Sequence, residues 1–315
     1  MAGRWRHGKG VTEAPIDIVP DSERRGLIGA LPASFRPYAS LMRLDRPIGA
    51  WLLFWPGAWS VALAGISGRG LILIAWIGLG AFAMRSAGCV YNDIIDRDMD
   101  SKVERTRLRP LASKRISLRS AWILLVALSL IGLLVLLQLN VIAALIALTS
   151  LTPVAAYPFM KRITWWPQAW LGLIFSWGAL VGWPAMTGRF DLPALLLWAG
   201  AVFWVIGYDT VYALQDKEDD ALVGVKSSAL ALGPYAKTGI FSFYLIALLL
   251  WSATIWQVRA DLLALAALLP VAAHLSWQVL TLQTEDGANA LAKFRSNRFA
   301  GLLMFLACLV VGRSV

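Results

Sequence analysis

Long apolar segments separated by short charged connections constrain what this chain can fold into. A helix needs about 20 apolar residues to span a bilayer. The chain has 315 residues, of which 58% are hydrophobic and 15% are charged, whereas a soluble domain carries about 25% charge. The sequence therefore predicts an all-α, polytopic integral membrane protein solvated by the lipid bilayer. Nine segments are candidate spans: Ile48–Ile66, Leu71–Val90, Ala121–Gln138, Val141–Tyr157, Pro167–Met186, Pro193–Tyr212, Thr238–Gln257, Leu262–Leu282 and Phe299–Val311.

The distribution of Lys and Arg predicts the orientation. The chain up to Pro47 and the connections 97–119, 158–166, 213–237 and 283–298 carry 24 of the 29 Lys and Arg residues. The alternate connections and the C-terminus carry four, and Arg85 lies inside the second apolar segment. Because positive residues accumulate in cytosolic connections, we expect a cytosolic N-terminus and an external C-terminus. This asymmetry also accounts for the net charge of +10, so no nucleic-acid partner is required.

The composition divides the chain into a polar cytosolic N-terminal arm, residues 1–40, and one transmembrane domain, residues 41–315. The arm contains no apolar stretch before a small-residue cleavage site, so no signal peptide is expected. Its acidic residues also argue against a mitochondrial presequence. We therefore expect the bacterial inner membrane, with no obligatory protein partner. Cys89 and Cys308 lie in apolar segments and are interpreted as packing residues.

Two acidic stretches end the second and the sixth apolar segments, and in helical geometry the polar side chains of each lie on or beside one face. Those of the first stretch are Asn92, Asp93, Asp96 and Asp100. Those of the second are Asp209, Asp216 and Asp220, with Tyr212 on the same face. Four intervening spans place both stretches on the same side of the membrane.

The repulsion within these stretches predicts a metal. Like charges one helical turn apart repel, and screening near a membrane is poor. Mg²⁺ prefers oxygen ligands and typically combines one or two carboxylates with substrate phosphates. Two facing clusters are therefore predicted to hold a phosphorylated substrate through Mg²⁺. The alternative, solvated helix ends that merely contain acids, runs against the basic bias of cytosolic connections.

Cations close to these stretches have two interpretations. They contact phosphate oxygens, or they only signal topology and attract anionic lipid. Both interpretations apply to Arg43, Arg46, Lys102, Arg105, Arg107, Arg109, Lys161 and Arg162. Arg85 differs, because a lone charge inside an apolar helix is costly. We expect it to face a polar cavity and to pair with a carboxylate or a substrate anion.

These stretches resemble the two motifs of a known family. Asn92-Asp93-x-x-Asp96-x-x-x-Asp100 resembles the first motif of the UbiA superfamily of intramembrane aromatic prenyltransferases, and Asp209-x-x-Tyr212-Ala213-x-x-Asp216-x-x-x-Asp220 resembles the second. The segments Arg46–Leu53, Tyr157–Arg162, Pro167-Gln168 and Tyr208–Thr210 resemble its 4-hydroxybenzoate polyprenyltransferase branch. The likeness covers about residues 40–312. One departure is Lys114, which stands where that branch usually has Gly.

The resemblance implies nine transmembrane helices around a central cavity that opens laterally to lipid. It implies Mg²⁺, a polyprenyl diphosphate, and prenylation of 4-hydroxybenzoate beside its hydroxyl in ubiquinone biosynthesis. The implied catalytic residues are Asp93, Asp96, Asp209 and Asp216. The implied metal ligands are Asn92, Asp93, Asp96, Asp100, Asp209, Asp216 and Asp220. The implied substrate-binding residues are Arg46, Arg85, Lys102, Arg107, Tyr157, Lys161, Arg162 and Tyr212, with Arg162 favoured for the acceptor carboxylate.

Rival functions remain at this point. One alternative within the superfamily is prenylation of another acceptor, such as haem, homogentisate or a naphthoate. From another class, an ion-coupled transporter places ionisable groups near the midplane, whereas here the acids gather at one face and only Arg85 is intramembrane. A non-enzymatic scaffold does not need paired acidic clusters.

The charge asymmetry yields a topology prediction. A reporter fused after Lys226 is expected to read cytosolic, and one fused at the C-terminus is expected to read external. Reporter activity on both sides of the membrane measures this directly. Finding both fusions on the same side would contradict a nine-span topology.

Overall fold

The computed structural model describes residues 28–102, 106–215, 217, 224 and 226–312, with the side chain of Lys161 left out. Within these ranges the regular secondary structure is helical and contains no strand. A short helix, Arg36–Leu41, crosses the predicted end of the N-terminal arm at residue 40. Its residue Leu41 is fully buried against the second long helix, in a cluster with Ala87 and Val90. The last part of the arm therefore packs on the transmembrane domain.

Nine long helical segments follow. They are α1 (Ile48–Ala64), α2 (Gly68–Asp100), α3 (Leu118–Leu136), α4 (Val141–Thr149 and Leu151–Ile163), α5 (Pro167–Ser176 and Gly178–Thr187), α6 (Leu192–Gln215), α7 (Ala236–Val258), α8 (Leu262–Ala266 and Leu269–Thr281) and α9 (Gly287–Val311). A short helix, Ser228–Leu232, and a 3₁₀ turn, Gly233–Tyr235, precede α7. In the described part of the chain, eight segments are long and apolar enough to cross a membrane, and α1 is a shorter apolar helix of 17 residues.

The structure corrects several predicted boundaries. The predicted start of the last span at Phe299 is wrong, because α9 begins at Gly287 and continues through Lys293, Arg295 and Arg298. Those cations interrupt the apolar run but not the helix. The spans predicted as continuous in α4, α5 and α8 are each broken in the middle, as at Ser150 in α4. The acidic stretch of α2 is helical, as expected, and extends that helix to Asp100.

Polar residues at the membrane surfaces fix where several helices begin. Ser117 accepts a hydrogen bond from the backbone N–H of Ser120 at 3.0 Å, and Asn140 accepts one from Ala143 at 3.0 Å. Asp286 accepts from two backbone N–H groups at the start of α9. Such caps satisfy N–H groups that have no partner inside the helix.

A cluster of tryptophans forms the centre of the packed core. Trp59, Trp183, Trp204 and Trp251 are fully buried. The Trp59 ring lies 5.0 Å from Trp204 and 5.4 Å from Trp251 between ring centroids. Trp59 Nε1 donates to the backbone carbonyl of Gly301 at 2.8 Å. These contacts join α1, α6, α7 and α9, so one wall of the bundle is rigid and dry.

Close helix approach supports the same wall. A Cβ added to Gly182 of α5 would lie 2.6 Å from the carbonyl oxygen of Gly57 in α1. Lipid tails are as apolar as a protein core, so membrane helices associate through close van der Waals packing, for which small residues are needed. α1 and α5 therefore depend on these glycines for their contact.

The loop after α2 folds back onto the bundle. Leu111 and Ile116 are buried against α2 and α3, and the Arg115 guanidinium donates to the backbone carbonyl of Leu108. Lys114 has φ +59°, a left-handed backbone conformation that residues other than glycine adopt at a cost in free energy. Lys114 is also the position at which the sequence departs from the 4-hydroxybenzoate polyprenyltransferase branch that it resembles.

The strain at Lys114 yields a stability prediction. Lys114→Gly is expected to stabilise the protein by about 1 kcal/mol, because glycine adopts this φ freely. The apparent melting temperature in detergent should rise by about 2 °C. The matched control Ser113→Gly, where φ is not positive, should leave it unchanged or lower it. Equal effects of the two substitutions would contradict the assignment of strain to residue 114.

Candidate active site

A cavity of about 740 Å³ occupies the centre of the bundle. Residues of α1 to α6 and α9 line it. Its polar lining includes Asn92 and Asp93 of α2 and Asp209 of α6, so the two helices with acidic stretches meet at one cavity. Asp96 and Asp100 of the first stretch do not line this cavity, and Asp216 and Asp220 of the second lie outside the described residues.

Asp93 is held by two arginines from outside its own helix. Its carboxylate oxygens lie 2.9 and 3.0 Å from Nη2 of Arg43, and Nη1 of Arg109 lies 3.3 Å away. Arg109 also donates to Asp100 at 2.8 Å. Asp93 is 1% exposed, and a buried carboxylate is stable only with such charged partners. The first motif is thus tied to the segment before α1 and to the loop after α2.

Arg43 reaches Asp93 from a strained backbone position. Its φ is +59°, in the left-handed region, and non-glycine residues in that region often mark functional sites. Burial acts to lower the pKa of Arg43, but Asp93, Cys89 and Asp45 together outweigh it and raise the pKa above its ordinary value. The guanidinium is therefore held charged against the motif.

Asp96 has a separate pair of partners. Arg162, at the end of α4, donates to Oδ1 at 2.9 Å, and the Asn92 amide donates to Oδ2 at 3.1 Å. Asp96 is fully buried, whereas the Arg162 side chain is 47% exposed. Arg162 therefore covers the acidic stretch at the rim and does not line the cavity.

The α6 side of the cavity is aromatic around one acid. Tyr208, Asp209 and Tyr212 line it from α6 and Tyr157 from α4. The Tyr212 ring lies 4.7 Å from Phe294 of α9 between centroids. A carboxylate surrounded by π faces is suited to an organic cation or an aromatic ring in the same space.

Arg85 lies in the apolar part of α2 and faces the cavity, as expected. Its Nη1 contacts Cys89 Sγ at 2.6 Å, and its guanidinium carbon lies 5.7 Å from the centre of the Phe175 ring. A Cβ at Gly49 would lie 2.5 Å from Arg85 Nε. In the part of the chain that the structure describes, Arg85 forms no ion pair and its buried Nε has no hydrogen-bond partner. No described carboxylate therefore lies within ion-pairing distance of Arg85, and Asp209 is the acid that shares the cavity with it.

The remaining site candidates are distributed differently. Arg46 lines the cavity and pairs with Asp45 at 3.1 Å. Lys102 and Arg107 are exposed and do not line the cavity. Asp216, Asp220 and the side chain of Lys161 lie outside the described residues, so their predicted roles stay predictions.

The cavity is open toward lipid between α3 and α4. Leu133 of α3 lines it and is 47% exposed, and Leu148 and Leu151 of α4 line it with 46% and 47% exposure. α3 packs chiefly on α2, and α4 packs on α5. The gap between them gives an apolar passage from the polar end of the cavity to the bilayer.

The donor set of the first motif fits a hard divalent cation in its chemistry. Asn92, Asp93 and Asp96 supply only oxygen ligands on one buried face, which is the type that Mg²⁺ prefers. Among the described residues, no three His, Cys, Asp or Glu side chains come close enough to hold a metal. Asp216 and Asp220 of the second stretch lie outside the described residues.

Sequence reasoning left two important residues undecided. Arg43 and Arg109 were not distinguished from topology signals, yet both hold Asp93. Only the tertiary contact separates Arg109 from Lys102 and Arg107, since all three follow the same motif, and only that contact brings Arg43 from the segment before α1 to Asp93. Phe175, which encloses Arg85 together with Gly49, carried no sequence signal beyond an apolar residue. Gly49 lies in the segment Arg46–Leu53 that resembles the branch, but nothing in the sequence indicates that it contacts Arg85.

Apolar helices around a cavity with acids and arginines at one end define a membrane-embedded protein suited to an anionic substrate with an apolar tail. Residues 53–309 match the UbiA prenyltransferase family. The chain is 46% identical over 295 residues to the mitochondrial 4-hydroxybenzoate polyprenyltransferase of Drosophila pseudoobscura pseudoobscura, covering 92% of this chain and 74% of the relative. It is 42% identical over 302 residues to the Caenorhabditis elegans protein of the same description, covering 93% and 83%. The chain belongs to the UbiA prenyltransferase family.

Solved structures share the fold. A UbiA homolog from Aeropyrum pernix K1 in its apo form superposes with a TM-score of 0.68 at 24% identity, covering 84% of this chain and 98% of that one. A UbiA homolog from Archaeoglobus fulgidus bound to GPP and Mg²⁺ has a TM-score of 0.63 at 17% identity, covering 87% and 99%. The predicted all-α membrane fold and the predicted family are confirmed.

The Asp93 pairs yield a prediction of stability. Arg43→Met leaves a buried carboxylate with the more distant Arg109 alone, so the protein should lose about 2 kcal/mol of stability. Thermal unfolding in detergent measures the loss. The control Arg97→Met removes a partner of Asp98, whose side chain is 84% exposed, and should change little. A loss equal to that of the control would contradict the structural role of the Arg43–Asp93 pair.

Proposed function

We propose that this protein transfers a polyprenyl group from a polyprenyl diphosphate to the ring of 4-hydroxybenzoate, ortho to its hydroxyl, in ubiquinone biosynthesis. The observation that carries the proposal is one cavity lined by both α2 and α6 acids and open to lipid between α3 and α4. Support comes from relatives described as 4-hydroxybenzoate polyprenyltransferases that match about nine-tenths of the chain.

The diphosphate would bind at the acidic and basic end of the cavity. Asn92, Asp93, Asp96 and Asp209, with Asp216 and Asp220, are the residues that would hold Mg²⁺. When bound, Mg²⁺ neutralises the diphosphate and improves it as a leaving group. Arg43 and Arg109 already lie against Asp93, close enough to the same end to donate charge-assisted hydrogen bonds to phosphate oxygens. The arginines thereby add positive charge where the leaving group gains negative charge.

The bond changes follow from what surrounds the reacting carbon. The allylic C–O bond breaks and leaves a delocalised cation, which the faces of Tyr157, Tyr208 and Tyr212 stabilise. The apolar walls exclude water that would otherwise capture it. The ring carbon ortho to the hydroxyl then forms the new C–C bond and loses its proton. Asp209, the cavity acid of α6, orients the phenol or accepts a proton.

The apolar tail would leave through the passage between α3 and α4. Its lining residues Leu133, Leu148 and Leu151 are half exposed and apolar. An isoprenoid chain that runs from the diphosphate to the bilayer therefore contacts apolar side chains and removes water from no polar group. This arrangement places no strict upper limit on chain length.

The acceptor carboxylate needs a fixed cation in this low-dielectric space. The sequence favoured Arg162, but Arg162 pairs with Asp96 at the rim. Arg85 lines the cavity, stays charged when desolvated, and has a buried Nε without a described partner. Gly49, Cys89 and Phe175 hold its guanidinium in place. We therefore favour Arg85 as the residue that binds the carboxylate.

The proposed location and orientation follow from the sequence and not from the relatives. The two relatives described above are mitochondrial by description, so the bacterial inner membrane is a proposal that depends on the sequence alone. The excess of Lys and Arg on one side supports a cytosolic N-terminus and a site at the cytosolic face.

The metal-dependent step has a direct test. Asp96→Ala and Asp216→Ala should each lower turnover by about 100-fold or more, because each removes a carboxylate from one half of the diphosphate site. Prenyl transfer by purified, monodisperse protein measures it. Asp98→Ala is the matched control, since Asp98 lies on the exposed face of α2 and should retain activity. Full activity in excess chelator would contradict the metal-diphosphate mechanism.

Acceptor recognition separates the two candidate arginines. Arg85→Met should raise the acceptor KM by about 30-fold or more, as expected for losing a buried charge pair, and leave the KM for the polyprenyl diphosphate nearly unchanged. Gly49→Ala should act in the same direction, because its methyl group displaces the Arg85 guanidinium. Steady-state kinetics with each substrate varied in turn make the measurement.

A neutral acceptor provides the control for this effect. With a phenol that lacks the carboxylate, Arg85→Met and the wild-type protein should have similar KM values. If Arg162→Met instead raises the acceptor KM selectively and Arg85→Met does not, the assignment to Arg85 is wrong and the sequence interpretation of Arg162 stands.

A further inference from the structure

A second buried cation lies on the opposite side of α9 from the cavity. Lys293 is only 7% exposed, whereas the α9 residues that line the cavity are Leu291, Phe294 and Arg295. Neither Lys293 nor the α8 residues beside it line the cavity. The proposed prenyl transfer therefore makes no use of this charge.

No described acid compensates Lys293. In the ranges that the structure describes, it forms no ion pair, and its Nζ lies over the face of Trp277 of α8 at 3.6 Å from the ring centroid. The nearby polar side chains are satisfied by one another. Gln278 donates to Ser296 at 3.0 Å, and Ser296 donates to the backbone carbonyl of Lys293 at 2.8 Å. A buried ammonium normally has an anionic partner, so the missing charge must come from outside these residues.

A second polar group beside Lys293 also lacks a partner. Nε2 of His274 is buried with no hydrogen-bond partner among the described residues. The His274 ring lies 5.3 Å from the Trp277 ring between centroids. The Lys293 ammonium and the His274 ring thus both lie against the Trp277 indole, where α8 and α9 pack together. Both are suited to donate hydrogen bonds to an anion, the imidazole when its Nε2 carries the proton.

These three side chains lie at the depth of lipid headgroups. Lys293 is six residues into α9 and Trp277 is four residues before the end of α8, which correspond to about 9 and 6 Å from those ends. Trp277 is 44% exposed on a surface that also exposes Leu280. Tryptophan concentrates at the membrane interface, and lysine extends its charge toward phosphates at that level.

We propose that Lys293, His274 and Trp277 form a binding site for the phosphate headgroup of an anionic phospholipid in the leaflet that holds the start of α9. The phosphate would pair with the Lys293 ammonium and accept a hydrogen bond from His274. Trp277 would pack along the glycerol and the upper acyl chain. The occupant is a lipid and not free phosphate, because the exposed surface beside Lys293, formed by Trp277 and Leu280, is apolar.

The test uses the full chain purified in detergent. Thermal unfolding is measured in mixed micelles containing phosphatidylglycerol or phosphatidylcholine, and separately with inorganic phosphate. Phosphatidylglycerol should raise the apparent melting temperature of the wild-type protein by about 2 to 4 °C, and the other two additives should not. Lys293→Met should lose the rise and Lys293→Arg should retain it. Native mass spectrometry should find one fewer retained phosphatidylglycerol on Lys293→Met.

The matched control is Arg298→Met. Arg298 lies on the same helix near the same surface, but it is exposed and stacks on Phe299 at 4.7 Å, so its loss should leave the phosphatidylglycerol effect intact. The proposal is overturned if Lys293→Met keeps the full rise, if Arg298→Met loses it equally, or if inorganic phosphate alone reproduces it. Unchanged prenyl transfer in Lys293→Met would separate this site from the proposed active site.

Discussion

The pairing of buried carboxylates with arginines from distant segments is the interaction on which the site depends. Asp93 and Asp96 belong to one helix, but their partners Arg43, Arg109 and Arg162 come from the segment before α1, the loop after α2 and the end of α4. A charge buried at a membrane boundary is stable only when compensated. These pairs therefore add charged contacts to two segments that the apolar cluster of Leu41, Leu111 and Ile116 already packs against α2, and they connect the end of α4 to the same helix.

The apolar bundle supplies the complementary property, which is a dry reaction space. The tryptophan core of α1, α6, α7 and α9 is tightly packed, whereas α3 and α4 are separated at the cavity. One rigid wall and one open side are what a reaction on an isoprenoid diphosphate requires. The wall excludes water from the reacting carbon, and the open side lets an apolar tail remain in lipid.

Sequence periodicity and charge predicted the helical membrane fold, because apolar length and loop charge directly reflect the bilayer. The acidic face of α2 was also predictable, because helical spacing places Asn92 and Asp96 together. The helix breaks in α4, α5 and α8 were not, because they depend on local packing. Nor could the sequence separate Arg43 from neighbouring cations, since only the folded chain brings it to Asp93. The resemblance supplied the chemistry, which periodicity alone left open.

The most direct measurement of the central claim is a product assay on the purified protein. Protein in detergent is incubated with Mg²⁺, a polyprenyl diphosphate and a panel containing 4-hydroxybenzoate, homogentisate and a naphthoate, and the products are identified by mass spectrometry. The account predicts one product, 4-hydroxybenzoate carrying the polyprenyl group on the ring carbon beside its hydroxyl, which disappears with chelator. Prenylation of another acceptor in preference to 4-hydroxybenzoate, or transfer that does not need a divalent metal, would contradict it.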